Sequence, residues 1–300
     1  MEGDKIKMDK YWELERGLPN KENQEAVSDF LLSLKLANRS ETTIRIYRRF
    51  LENFFAFQTE SFAFLSSDVI HQWYREKQGH VNERTFKVRL SILSSFYKYC
   101  VQERLLERSP IKSYWFPRLP KTLPKHLEKE EIAKIRQQSE KEPLRNQVLM
   151  EFMLTSGCRV GEVSRLDSKD VDLENRTAKI VGKGKKIRQV HFTEKCAILL
   201  ERYLEMRKEV ASPAFFLSSR GNRLSVSQIY RSIREIGIKA GLKNLHPHQL
   251  RHTFATELLA KGAELSFIGE ELGHNDIATT QIYARLLKSG IISNYRMFMG

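Results

Sequence analysis

The stretch from Arg108 to His126 constrains the fold of this 300-residue chain more than any other. Pro110, Pro117, Pro120 and Pro124 fall within it, interleaved with Lys112, Arg118, Lys121 and Lys125. Proline fixes φ and removes a backbone donor, so prolines repeated at this spacing exclude a continuous helix or a central strand. Residues 108–126 therefore read as an extended basic connector, and the chain on either side must build its own core. Three hundred residues agree with two domains.

Upstream, residues 22–107 carry helical periodicity. Phe30, Leu31, Leu34 and Leu36 form one apolar stripe; Ile44, Tyr47, Leu51, Phe54 and Phe55 form the next, with Ser40 as its expected N-cap. Further helices are expected over 67–77 and 83–101, giving a small helical bundle preceded by a polar extension, residues 1–21. Arg45, Arg48 and Arg49 lie on the second of these helices and Arg84, Lys87 and Arg89 on the fourth. They are the candidate DNA contacts of this bundle, although solvated helix faces carry similar charges in most proteins.

Downstream, over 127–300, helices are expected at 129–140 and 145–156. A hairpin follows, with strands over 177–181 and 187–192 around a Gly182–Lys185 turn. Helices return near 194–207, 225–240, 247–260, 265–272 and 277–287. The expected fold class is mainly α with a small β-hairpin or sheet. Two basic domains joined by a basic connector suggest a C-shaped clamp around a rod-like polyanion.

Composition supports that partner. Lys plus Arg number 51 against 37 Asp plus Glu, a formal charge of +14, which favours nucleic acid without naming a function. No uncharged apolar run is long enough to span a bilayer, and the acidic start lacks the apolar core of a secretion signal, so a cytoplasmic protein without a membrane partner is expected. Cys100, Cys158 and Cys196 fit neither a disulfide framework nor a zinc spacing and read as buried thiols.

Singly, the chemistry-bearing residues say little. Arg159 follows Gly157, which should end one helix just before another begins; a helix start suits phosphate, whereas pairing with Glu162 would make it structural. His248 and Arg251 share a helix face just after Pro247 and suit a phosphate as a pair. His246, His248 and His252 raise zinc, but no Cys or acidic ligand stands nearby at a familiar spacing, so no metal is expected. A Walker-type phosphate loop is absent, so no ATP is implied. Lys183 would by itself be a hairpin lysine, His274 a joint residue and Tyr283 helix filler.

Together they are specific. Gly-Cys-Arg-Val-Gly-Glu (157–162), Gly-Lys-Gly (182–184), His-Gln-Leu-Arg-His-Thr-Phe-Ala-Thr (248–256) and Leu-Gly-His-Asn-Asp…Thr-Thr-Gln-Ile-Tyr (272–283) resemble the tyrosine recombinase, or phage integrase, family. Thr43…Tyr47…Leu51 and Arg89–Tyr97 resemble its helical core-binding domain, so the likeness runs from about Glu22 to Leu287. The Xer-like branch, which has two domains and no arm-binding domain, is resembled most. Cys158 and Ser156 depart slightly from the family pattern.

The resemblance implies a catalytic set of Arg159, Lys183, His248, Arg251, His274 and Tyr283, acting without metal or other cofactor. Arg159 and Arg251 would hold the non-bridging phosphate oxygens as bidentate donors in an open groove. His248 and His274 would add hydrogen bonds, and His248 would accept the Tyr283 proton. Lys183 would protonate the leaving 5′-oxygen, and Tyr283 would carry the 3′-phosphate. The implied partner is a double-stranded site of two half-sites, bound by four subunits on two duplexes, with a monomer in free solution. Residues 291–299 are apolar enough to dock on a neighbouring subunit or to pack back on their own domain. A type IB topoisomerase or telomere resolvase would use similar residues and differ in the fate of the cut end, and a catalytically silent DNA-binding regulator would share the scaffold; retention of all six residue types argues against the regulator.

Overall fold

Asn20, Ser40 and Asn82 each turn a side-chain oxygen onto the main-chain N–H three residues on, and each starts a helix. In the computed structural model, which describes residues 10–78, 81–120, 125–182, 186–207, 210 and 212–273, these helices are α1 (Lys21–Leu36), α2 (Glu41–Phe55) and α4 (Glu83–Gln102), with α3 at Ser67–Gln78 between the last two. Their apolar faces meet in an aromatic core. Phe54, Phe55, Phe96 and Tyr97 are fully buried there, and Phe54 packs edge-on against Trp73 with ring centroids 4.8 Å apart.

Both ends of this unit take in more chain than periodicity indicates. Tyr11, Trp12 and Leu14 pack on the core from the N-terminal extension, and Lys35 Nζ sits 3.1 Å from the Trp12 ring centroid. Ile111, Trp115 and Phe116, expected to lie in a free connector, also pack on it, with a short 3₁₀ turn at Ser113–Trp115. Prolines break the helix there, but the apolar residues between them still seek burial. The chain divides into two units, residues 1–121 and 122–300.

The second unit is organised by α6 (Leu144–Ser156), in which Val148, Leu149, Met150, Phe152, Met153 and Leu154 are all buried. A helix buried on every side must be central. Packed on it are α5 (Lys129–Ser139), α8 (Glu194–Met206), α9 (Val226–Lys239) and α10 (Pro247–Ala260). The short α7 (Val160–Arg165) follows α6, and α11 (Leu265–Leu272) follows α10. The hairpin strands are β2 (Thr177–Val181) and β3 (Ile187–His191), antiparallel, with Ala178 opposite Val190 and Ile180 opposite Arg188. A third strand, β1 (Val171–Asp172), pairs with β2 and makes the order β1-β2-β3. Two residues carry no readable alternation, which is why sequence periodicity misses it.

Cys100, Cys158 and Cys196 are buried free thiols, and burial pushes each pKa up to about 12. No helix among the described residues is long and apolar enough to cross a membrane. The helix expected over 277–287 and the tail 289–300 lie outside the described residues.

Candidate active site

Gly157 closes α6 in the left-handed region, at φ 60°, and only glycine fits there: a Cβ would lie 2.3 Å from Phe254 Cδ1. The tight exit delivers Arg159 to the start of α7 in extended conformation. Its main-chain N–H donates to Glu162 Oε2 at 2.8 Å, while Nη1 donates to Glu162 Oε1 at 2.9 Å and Nη2 to the Gly273 carbonyl at 3.2 Å. The Arg159 side chain stays 34% exposed. Pairing with Glu162 and presentation to solvent thus coexist in one side chain.

Arg251 reaches the same place from α10. Pro247 occupies the first turn of that helix, and the His246 ring accepts the Gln249 N–H as its cap. Arg251 is 5% exposed, with Nη1 donating to the Gly157 carbonyl at 2.7 Å and Nη2 to the Leu272 carbonyl at 2.6 Å. Carbonyls at helix C-termini lack partners within the helix and sit at its negative end, so a guanidinium satisfies both. Expected from sequence to lie in an open groove like Arg159, Arg251 is buried and ties the ends of α6 and α11 together.

Sequence reasoning missed the third arginine, Arg188 on β3. Its Nη1 and Nη2 donate to Glu162 Oε1 and Oε2, both at 2.9 Å, and its Nε donates to the Glu271 carbonyl at 3.0 Å. The consecutive carbonyls of Glu271, Leu272 and Gly273 are therefore bonded by Arg188, Arg251 and Arg159 respectively. Gly273 takes φ 60°, and a Cβ there would lie 2.8 Å from Arg188 Cδ. The signal for Arg188 was phase: it shares a strand face with the buried Val190 and Phe192.

Glu162, 2% exposed, pairs with two of the three arginines, Arg159 and Arg188. Burial raises its pKa, but the Arg188 and then the Arg159 hydrogen bonds outweigh burial and hold the carboxyl below its usual range. It is ionised at neutral pH. Beside this cluster, Glu271 Oε1 meets His191 Nδ1 at 2.7 Å.

His248 lies exposed on the first turn of α10. Partial desolvation, then the neighbouring His246, Arg251 and Arg159, lower its pKa from the usual 6.5. The half-buried His252 is pushed down to about 4, chiefly by desolvation and then by His248 and Arg251. Both rings are neutral at neutral pH. Among the described residues no group of three His, Cys, Asp or Glu side chains is placed to hold a metal ion. Lys183, His274 and Tyr283 lie outside the described residues; in sequence, Lys183 precedes Arg188 by five positions and His274 directly follows Gly273.

In the first unit, Arg49 and Arg84 are exposed, and Arg45, Lys87 and Arg89 are part-buried, Arg45 pairing with Glu41 at 2.9 Å. Arg48 departs from expectation. It is 6% exposed, bound to the Glu15 carboxylate and, at 3.0 Å, to the Glu13 carbonyl. It holds the N-terminal extension onto α2 instead of facing outward to a phosphate.

The chain is similar to known proteins over most of its length. Residues 125–289 match the model of the phage integrase family, and residues 27–104 match that of its N-terminal SAM-like domain. The chain is 33% identical over 257 residues to tyrosine recombinase XerC of Escherichia coli O139:H28, covering 82% of this chain and 86% of that protein. To XerC of Actinobacillus pleuropneumoniae serotype 7 it is 37% identical over 215 residues, 70% of each chain. The crystal structure of XerH site-specific recombinase bound to difH substrate, a pre-cleavage complex, superposes with a TM-score of 0.68 at 26% identity, covering 90% of this chain and 88% of that one.

Proposed function

Because the chain belongs to the phage integrase family, we propose that it is a site-specific tyrosine recombinase acting in the cytoplasm on double-stranded DNA. The observation that carries this reading is the gathering of Arg159 and Arg251, with neutral His248 beside them, at the end of the helix that leads in sequence to His274 and Tyr283. In this reading 22–107 is a DNA-binding domain preceded by the extension 1–21, 108–126 a connector and 127–300 the catalytic domain.

Tyr283 attacks the scissile phosphorus through its phenolic oxygen, which loses its proton to His248. The bond from phosphorus to the 5′-oxygen breaks, and that oxygen takes a proton from Lys183. Charge developing on the phosphate is met by Arg159, Arg251 and a His274 hydrogen bond. A phenol has an ordinary pKa near 10, so a cationic pocket is needed to favour the attacking oxygen at neutral pH. The 3′-phosphotyrosyl bond conserves the phosphodiester energy, and a 5′-hydroxyl from a second duplex resolves it without ATP. Four subunits on two sites, each of two half-sites, then exchange strands through a Holliday junction, the free protein being monomeric.

Strand exchange tests this directly. Two duplexes carrying the sequence that the protein itself selects from random DNA should give recombinant products in excess chelator and without nucleotide. Relaxation of supercoils with no exchanged product would instead make the enzyme a topoisomerase. Specific binding with no cleavage would make it a regulator.

A further inference from the structure

The geometry points to Arg188 as a positioning residue: by occupying both oxygens of the buried Glu162 carboxylate, it leaves the Arg159 guanidinium with positive charge to offer a phosphate. This rests on the recombinase reading and extends it to a side chain outside the catalytic set.

Glu162 must be neutralised, because a carboxylate 2% exposed is costly without a partner. Two arginines reach it, in different ways. Arg188 spans both oxygens with paired bonds of 2.9 Å, and its own side chain is 14% exposed. Such a fork-to-fork pair cancels charge within the protein. Arg159 gives Glu162 one side-chain bond and keeps 34% of its side chain open. Without Arg188, the cation left for both oxygens is Arg159. It would turn its fork inward and lose charge where a substrate phosphate needs it.

A second effect runs through the backbone. The Arg188 Nε bond to the Glu271 carbonyl fixes β3 to the end of α11, two residues before the Gly273 carbonyl that Arg159 holds. One side chain thus sets both the partner of Arg159 and the helix end on which Arg159 rests. Arg188 touches no reacting atom; it acts through Glu162.

The test is a double-mutant cycle on the full chain, read as single-turnover covalent trapping on a nicked duplex built from the sequence the protein selects from random DNA. Trapping by the unaltered protein, abolished by Tyr283→Phe, first checks the recombinase reading; if the unaltered protein traps nothing, that reading falls and this inference with it. Arg188→Gln should slow trapping by about 30-fold or more while half-site affinity stays within about 3-fold. In the Glu162→Gln background the same substitution should cost less than about 5-fold, because no buried charge remains to capture Arg159. If Arg188→Gln does not fold, Arg188→Lys replaces it in the cycle: lysine keeps the charge but cannot span two oxygens, and its defect should likewise shrink beside Gln at 162. A defect of equal size in both backgrounds, or an Arg188 variant trapping within about 2-fold of the unaltered protein, overturns the proposal.

Discussion

The Leu272 carbonyl, at the last residue of α11, accepts a 2.6 Å hydrogen bond from Arg251 Nη2 on a side chain closed to solvent. Arg251 therefore has work to do in the fold before any DNA arrives. Arg251→Ala would strand this carbonyl and that of Gly157, and with charged hydrogen bonds worth about 1.5–3 kcal/mol each, it should cost about 3 kcal/mol or more of unfolding free energy. Arg159→Ala, at a third exposed, should cost about 1 kcal/mol or less. Both should slow single-turnover cleavage by about 10²-fold or more. Denaturant unfolding beside cleavage rates separates the two, and equal stability losses would contradict the contrast in burial.

Gly157 offers a purely steric test. Gly157→Ala meets both a left-handed φ and the Phe254 ring, so it should destabilise by about 2 kcal/mol or more. Adding Phe254→Leu should recover part of the loss and not all, since the backbone strain remains. Thermal melting of the three variants decides; full recovery would put the whole cost in the ring contact.

How much of this was legible beforehand differs from residue to residue. Gly157, Pro247 and Gly273 mark their helix ends by backbone chemistry alone, so the joints that carry Arg159, His248 and Arg251 could be placed from sequence. Arg188 could not be singled out by type, because a charged residue on a short strand is normally turned outward. Its phase with Val190 and Phe192 was readable, but the partner that makes the inward charge tolerable, Glu162, is 26 residues away. Arg48 repeats the lesson on α2, where it shares the inward face with Ile44, Leu51 and Phe55. Its partners Glu13 and Glu15 come from an extension without periodicity.

The histidines predict two pH effects. Folded His252 titrates near 4, below the usual 6.5, so between those values the unfolded chain binds a proton that the folded chain refuses. Stability should fall as pH drops through that window, and His252→Gln should flatten the slope. An unchanged slope would assign the titration elsewhere. His248, also lowered, is neutral at neutral pH and free to accept a proton, so the acid limb of cleavage should have its midpoint below 6.5. A midpoint above 6.5 would mean that the limb reports another group.

Lys183 and Lys186 should differ in kind. If Lys183 is the general acid, Lys183→Ala should slow cleavage by about 10²–10⁴-fold. A substrate with a 5′-bridging sulfur, which leaves without a proton, should restore the rate. Lys186→Ala should weaken binding slightly, with no rescue by sulfur. Equal behaviour of the two variants would reduce Lys183 to a steering charge.

In the proposed reaction Tyr283 forms the covalent link to DNA. Peptide mapping of the complex trapped on a nicked duplex measures this most directly. A single 3′-phosphotyrosyl peptide containing Tyr283 is expected, with Tyr283→Phe binding the same DNA and trapping none. DNA attached to any other residue, or cleavage surviving in Tyr283→Phe, would contradict it.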